Sequence, residues 1–271
     1  MVRFFLATVA ALSITATHAA AGASPPAAKP TVVLVHGAFA GSSSWNSVVI
    51  DLVRDGYPVV AAAVPLRSLK SDAEYVASLV ASVPGPVVLV GHSYGGEVIS
   101  VAAKSRPNVK ALVFVAGLAP DAGESAASLG ARFPTGTLGS ALAPPVPLPD
   151  GSADLYILQA RYWQQFAADV PKQAAVAMAT TQRPITQSAL GEPAVASSWQ
   201  VVPSWFIWGQ RDLNIPAVLH AFMAERARSR EAIEVPGASH VVMISHPHLV
   251  SALTERAATA ESAGPNIAAA R

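Results

Sequence analysis

The chain contains no cysteine. That single absence excludes disulfides, thiolate metal centres and a thiol nucleophile. Charge is scarce too. Asp, Glu, Lys and Arg make up 13% of the 271 residues, and 18 basic side chains face 17 acidic ones. With no basic run, nucleic-acid binding has nothing to rest on. The seven histidines are dispersed and no H-E-x-x-H occurs, which argues against a zinc hydrolase. No strand-like run is followed by G-x-G-x-x-G, so a dinucleotide site lacks support. What is abundant is apolar: 52% hydrophobic residues, with 22 prolines and 18 glycines to be placed. Such a chain suits one large α/β domain or two small ones, not a disordered or coiled-coil protein.

Part of the apolar excess sits at the N-terminus. Arg3 precedes an apolar run from Phe4 to about Ile14, followed by small residues through Ala19, Ala20, Ala21 and Ala23. This order reads as a secretory signal peptide over residues 1–23, cut after Ala19, Ala21 or Ala23. The alternative, an uncleaved anchor, is disfavoured because the strongly apolar stretch is short of the roughly 20 residues a span needs. SPPAAKP, residues 24–30, reads as a linker. The expected mature protein is exported, to a bacterial periplasm or the medium, without a stable membrane span.

Strand and helix signals then alternate. TVVLV (Thr31–Val35), PVVAAAV (Pro58–Val64), PVVLVG (Pro86–Gly91), VKALVFVAG (Val109–Gly117), PSWFIWG (Pro203–Gly209) and EAIEVPG (Glu231–Gly237) are short, β-branched or apolar runs ending in turn residues, as buried parallel strands do. Helices are expected at Ser42–Arg54, after a Ser71/Glu74 capping box, at Tyr94–Ala103, near Pro216–Arg228 and from His246 to Ala258. The alternation breaks from about Ala119 to Gln200, where APPVPLPDG (Ala143–Gly151) is followed by two helical patterns, Asp154–Ala168 and Pro171–Ala179. The expected architecture is a mostly parallel sheet of about six strands over residues 31–259. It has helices on both faces, an inserted and mostly helical lid at about 119–200, and a tail at 260–271.

The chemistry centres on Gly91-His92-Ser93-Tyr94-Gly95-Gly96, directly after one strand and before a helix. A sharp strand-to-helix turn would expose Ser93 Oγ above the carboxyl ends of the strands, and the glycines leave space for it. Serine is a weak nucleophile without a base. His240, in GASH after the last strand, is the preferred base, because strand-end loops converge on that edge. His36 and His92 sit beside tight turns and read as backbone braces, His220 lies within a helix, and His246 and His248 flank a helix start. Asp212, in WGQRDLNIP, is the preferred carboxylate to orient the imidazole, with Asp121 and Glu124 as competitors. The buried or solvated role of Glu97, four residues past Ser93, stays open. Oxyanion donors are expected from the Tyr94 backbone N–H and from HGAFAG (His36–Gly41), with Ala38 preferred and Phe39 possible.

VLVHGAFAGSSSW, VLVGHSYGG, FVAGLAPDAGE, WFIWGQRDLNIP and VPGASHVVMISHP resemble corresponding regions of α/β-hydrolases. The likeness is strongest to the branch of plant methylesterases, hydroxynitrile lyases and their bacterial esterase-like relatives. The resemblance implies nucleophile, orienting and base roles for Ser93, Asp212 and His240, oxyanion donors at Ala38 and Tyr94, and a cap over the interruption. The lyases of that branch carry a Thr beside the oxyanion loop and a Lys after the catalytic His; this chain has Gly37 and Val241 there, which disfavours cyanohydrin cleavage. Only the linker precedes Thr31, so the first two strands of a full sheet of this kind are not expected.

The expected reaction is therefore hydrolysis of a small or medium apolar carboxylic ester through an acyl-enzyme, with no cofactor and no metal. A lyase or a cofactor-free perhydrolase on the same triad is the runner-up, and a non-catalytic binding protein the more distant alternative. Phe39, Tyr156, Trp163 and Phe166 are candidate pocket residues, with Phe133, Leu138, Leu142 and Leu155 as further apolar candidates in the lid.

Overall fold

The computed structural model describes residues 28–261. The signal-peptide reading of residues 1–23, the start of the linker and the tail beyond 261 fall outside the described residues.

Six strands form one parallel sheet: β1 (Thr31–Val35), β2 (Val59–Ala62), β3 (Val87–His92), β4 (Val109–Val115), then β8 (Ser204–Gly209) and β9 (Glu231–Val235), in the spatial order β2-β1-β3-β4-β8-β9. Every residue of β3 and β8 is buried, as expected of central strands covered on both faces. Phe114 and Phe206, opposite each other in the β4–β8 register, stack with ring centroids 4.5 Å apart. Helices α1 (Asn46–Arg54), α2 (Leu69–Ser82) and α3 (Tyr94–Ala102) form the crossovers between the first four strands. This is the six-stranded α/β sheet expected from the alternation.

The order reverses between β1 and β3. The chain leaves β1 outward to β2, then returns to the other side as β3. At such a switch the loops after the two strands part and leave a crevice at the carboxyl edge. The loop after β1 holds Ala38, and the turn after β3 holds Ser93.

Between β4 and β8 the chain makes its excursion: α4 (Ala126–Arg132), α5 (Leu138–Ala141), β5 (Val146–Pro147), β6 (Ala153–Leu155), α6 (Gln159–Phe166), α7 (Lys172–Thr180), β7 (Ile185–Thr186) and α8 (Gln187–Gly191). It is mostly helical, with a small antiparallel sheet β5-β6-β7. Asp154 and Leu155, expected at the start of a helix, instead lie in β6, the central strand of that sheet. β6 pairs with Ile185–Thr186, some thirty residues on, a partner no local pattern displays. The helix there starts later, at Gln159.

The start of α2 also differs from expectation. The cap is Ser68, whose hydroxyl accepts from Ser71 N at 3.1 Å, and Glu74 is exposed. The carboxylate that serves this helix end comes from the insertion. Glu192 accepts from Leu69 N at 2.7 Å and from Lys70 N at 3.2 Å, a favourable place for negative charge. Together with the Arg67–Asp154 pair at 2.6 Å and the Thr186–Arg67 bond at 2.7 Å, it fastens the insertion to the sheet domain. The last strands are followed or joined by α9 (Ala217–Arg226), α10 (Val242–Ser245) and α11 (Pro247–Thr259). Among the described residues no helix is long and apolar enough to cross a membrane.

Candidate active site

Ser93 is the hinge of the turn from β3 into α3, and its own φ is +54°. A positive φ is costly for a residue with a Cβ. Here the backbone holds it: Ser93 N donates to Ala116 O at 3.1 Å, and Ser93 O accepts from Gly96 N at 2.9 Å and Leu118 N at 3.0 Å. The glycines around it serve close approach rather than unusual dihedrals. A Cβ at Gly95 would lie 2.4 Å from Val35 O, so α3 could not seat against β1. A Cβ at Gly37 would lie 2.6 Å from Ser93 Cβ, so nothing larger than glycine fits beside the nucleophile candidate.

Asp212 follows β8 and His240 follows β9, bringing both to the same sheet edge. His240 Nδ1 lies 2.6 Å from Asp212 Oδ2. With Nδ1–H donated there, the other ring nitrogen is a base with its lone pair available. Asp212 Oδ1 accepts from Asn214 N at 2.8 Å and Ile215 N at 3.0 Å. Burial pushes the Asp212 carboxyl up, but the charge of His240 and the hydrogen bonds from His220 and His240 outweigh it and hold the group below the usual carboxylate range. The His240 imidazole is buried against the edge of Phe166, with centroids 5.1 Å apart. His92 Nε2 donates to His240 O at 3.2 Å, and His36 bridges Gly37 O and Val64 N; both brace backbone at the two turns.

Ser93 and His240 line one cavity of about 260 Å³, together with Ala38 and Tyr94. Hydrogen bonding separates the candidate oxyanion donors. Phe39 N is already donated to Arg183 O at 2.9 Å, whereas among the described residues the Ala38 and Tyr94 amides have no backbone acceptor. Two free N–H groups at the cavity, one from each side of the sheet reversal, suit a developing oxyanion. Ser239, adjacent to His240, is buried and does not line the cavity; its hydroxyl donates to the Asp169 carboxylate and to Phe166 O.

The competitors of Asp212 are engaged elsewhere. Asp121 accepts from Ser197 Oγ at 2.6 Å, and Glu124 pairs with Arg226 and Arg132 at 2.8 Å each. Of the candidate pocket residues, Phe39, Phe133, Leu138 and Phe166 line the cavity, while Tyr156, Trp163, Leu142 and Leu155 do not. On α6 the buried positions are Tyr162, Gln165 and Phe166, with the two aromatic rings four residues apart. Trp163, one position on, turns away, and its indole donates to Val170 O at 3.0 Å.

Sequence reasoning missed two residues. His220, on the first turn of α9, places Nε2 3.2 Å from Asp212 Oδ2. Asn214 lines the cavity two residues past Asp212. Spacing gives a hint of the first, because a helix beginning at Ala217 directly after the Asp212 turn points its first-turn side chains back toward it.

A model of the alpha/beta hydrolase family matches residues 32–253. The chain is 26% identical over 252 residues to the alpha/beta hydrolase nvfD of Aspergillus novofumigatus, covering 85% of this chain and 97% of that protein. It is 25% identical over 255 residues to methylesterase 8 of Arabidopsis thaliana, covering 82% and 87%. Among solved structures, polyneuridine aldehyde esterase superposes with a TM-score of 0.73 at 18% identity, over 84% of this chain and 98% of that one, which is a likeness of fold. With that match over most of its length, and with the sheet order and strand-edge residues described above, the chain belongs to the alpha/beta-hydrolase family.

Proposed function

We propose that the protein is a serine hydrolase of small to medium apolar carboxylic esters, acting through an acyl-enzyme on Ser93. The observation that carries this reading is the convergence on one cavity of Ser93, the Asp212-held His240 and two unengaged amides. His240 takes the Ser93 proton as Oγ bonds to the scissile carbonyl carbon. The Ala38 and Tyr94 N–H groups hold the oxyanion, and Asp212 steadies the imidazolium. The C–O bond to the leaving alcohol then breaks, and His240 returns the proton to it. A water deprotonated by His240 attacks the acyl carbon, the bond to Oγ breaks, and Ser93 regains the proton as the acid leaves. No cofactor enters this cycle.

The ester reading is favoured over the lyase alternative by Gly37, where a Cβ would collide with Ser93, and by the apolar Val241 after His240. The names of the methylesterase and esterase relatives agree with it. Export rests on the N-terminal sequence pattern alone. The test is a panel of short-chain aryl and alkyl esters with the wild type and Ser93→Ala, alongside labelling by a serine-reactive fluorophosphonate. Loss of turnover on the order of 10³-fold or more with loss of labelling supports the assignment; unchanged turnover in Ser93→Ala overturns it.

A further inference from the structure

The cavity holding Ser93 measures about 260 Å³, just under the roughly 300–1,000 Å³ of pockets that enclose a drug-sized ligand. Its walls are apolar, with Phe133, Leu138, Phe166, Ile215 and Leu219 among them, and no Asp, Glu, Lys or Arg side chain lines it. A charged group would lose its hydration there without compensation. Of the residues lining the cavity, only Ala127, Gly130 and Gly139 are exposed; the others are buried or half-buried. The cavity therefore meets solvent beside α4 and α5, and its rim is built from the two smallest residue types.

Gly130 has no structural reason to be glycine. Inside a helix the residue is destabilising relative to alanine. Its φ is not positive, and it lies within α4, three residues before the cap Phe133, rather than just past the helix end where glycine terminates helices. A Cβ built on it meets nothing within 4 Å. Gly136, which also lines the cavity, shows the contrast, because its Cβ would lie 3.0 Å from Asn214 O. The helix sets where a side chain at position 130 would go. Ala126, Gly130 and Phe133 stand at i, i+4 and i+7, on one face of α4, and all three line the cavity. Leu129, beside that face, is buried in the core, which fixes the rotation of the helix. A side chain at position 130 therefore projects into the mouth.

We propose that Gly130 is a specificity-determining position that keeps the mouth open, so that one substituent of the ester occupies the chamber while the other reaches out past α4. This rests on the serine-hydrolase reading and deepens it. The preferred substrates are esters with an uncharged apolar group in the chamber and, across the scissile bond, a group too bulky to be enclosed with it. A larger residue at position 130 obstructs that second group and leaves the fold intact.

The experiment measures kcat/KM on two pairs of esters, one varied on each side of the scissile bond. They are p-nitrophenyl 4-phenylbutanoate against p-nitrophenyl acetate, and 2-naphthylmethyl acetate against methyl acetate. The wild type is expected to turn over at least one bulky member. Gly130→Leu should lower the bulky-to-small ratio for that pair by about tenfold or more. Ala131→Leu, one position on, exposed and outside the lining, should keep the wild-type ratio. Gly130→Ala should raise the urea midpoint, because alanine is the better helix former. Labelling of Ser93 by a small fluorophosphonate verifies that the site is assembled in each variant. Four results overturn this inference while leaving Ser93-dependent hydrolysis standing: a wild type that turns over the small members alone, a ratio unaltered in Gly130→Leu, an equal fall in Ala131→Leu, or a Gly130→Ala protein less stable than the wild type. Absence of Ser93-dependent turnover on every ester overturns both.

Discussion

His220 Nε2 lies 3.2 Å from Asp212 Oδ2, the same oxygen that receives His240 Nδ1 at 2.6 Å. Asp212 is thus fully engaged, with two imidazole N–H groups on one oxygen and two backbone N–H groups on the other. His220 Nδ1 has no partner among the described residues, and burial lowers the pKa of the ring despite its bond to Asp212, so His220 is a neutral donor. In the proposed mechanism His240 is the base, and His220 fixes where the carboxylate sits.

Asp212→Asn should reduce kcat by on the order of 10⁴-fold, because the amide favours the wrong tautomer of His240. His220→Phe removes one hydrogen bond to a charged, buried acceptor, a loss of about 1.5–3 kcal/mol in unfolding free energy. Its kcat should fall several-fold with KM little changed, and His220→Gln, which keeps a donor, should recover most of both. Urea unfolding and steady-state kinetics on the three variants check this. A His220→Phe enzyme of undiminished stability and turnover would falsify the positioning role.

Gly37→Ala places a carbon 2.6 Å from Ser93 Cβ and 2.7 Å from His92 O. Neither neighbour is the free end of a flexible side chain. Relief requires moving the strained Ser93 turn or the loop that offers the Ala38 amide. The expected result is a loss of about 1–3 kcal/mol in stability and of most turnover. Fluorophosphonate labelling should slow in parallel. Labelling at the wild-type rate would show that the turn absorbs the methyl.

The buried histidines set the acid side of stability. His36 Nε2 accepts from Val64 N at 3.1 Å, a bond the protonated ring cannot make, and burial pushes its pKa down to about 4. The unfolded ring titrates near 6.5, so the folded state resists a proton that the unfolded state takes up. Stability from His36 is complete above pH 6.5 and is lost as pH falls toward 4, by about 1.4 kcal/mol per pH unit. His36→Gln should unfold with a shallower dependence across that window than the wild type. Parallel wild-type and variant profiles by urea unfolding at pH 7, 6 and 5 would contradict the assignment.

Glu97 acts in the opposite sense. It is fully buried on α3 behind the cavity-lining Ala126, and burial holds its carboxyl well above the ordinary value, only partly offset by the Ala126 amide. The unfolded side chain ionises as pH rises past about 4.4 while the folded one keeps its proton. Its contribution to stability is complete below that pH and declines on the alkaline side until the folded group itself ionises. Glu97→Gln should therefore gain stability relative to the wild type as pH rises from 5 to 8. A difference between the two proteins that stays constant over this range would show that Glu97 is ionised in the fold.

The sheet, the turn bearing Ser93 and the strand-end positions of Asp212 and His240 were legible in the sequence because each is signalled locally. β-Branched runs of five to seven residues mark covered strands, and Gly91, Gly95 and Gly96 mark the tight passage from strand to helix. The carboxyl edge follows from right-handed crossovers. The insertion was harder to read. Asp154 looked helical because its strand partners lie far away in the chain, and the Glu192 cap of α2 comes from more than a hundred residues downstream. Trp163 and Phe166 could not be told apart as wall and surface without the angle at which α6 meets the sheet.

By itself, then, the sequence determined the α/β class, serine as the candidate nucleophile at the elbow, and which loops face one another. Only the tertiary structure decided that Phe39 N is occupied and Ala38 N is not, that His220 joins Asp212, and that Gln165 of the insertion bonds Asn214 beside it. The physical reason is range. Periodicity and turn chemistry act between residues a few positions apart, whereas the direction of a donor is set by whichever acceptor packing brings within about 3 Å, and that partner can come from anywhere in the chain.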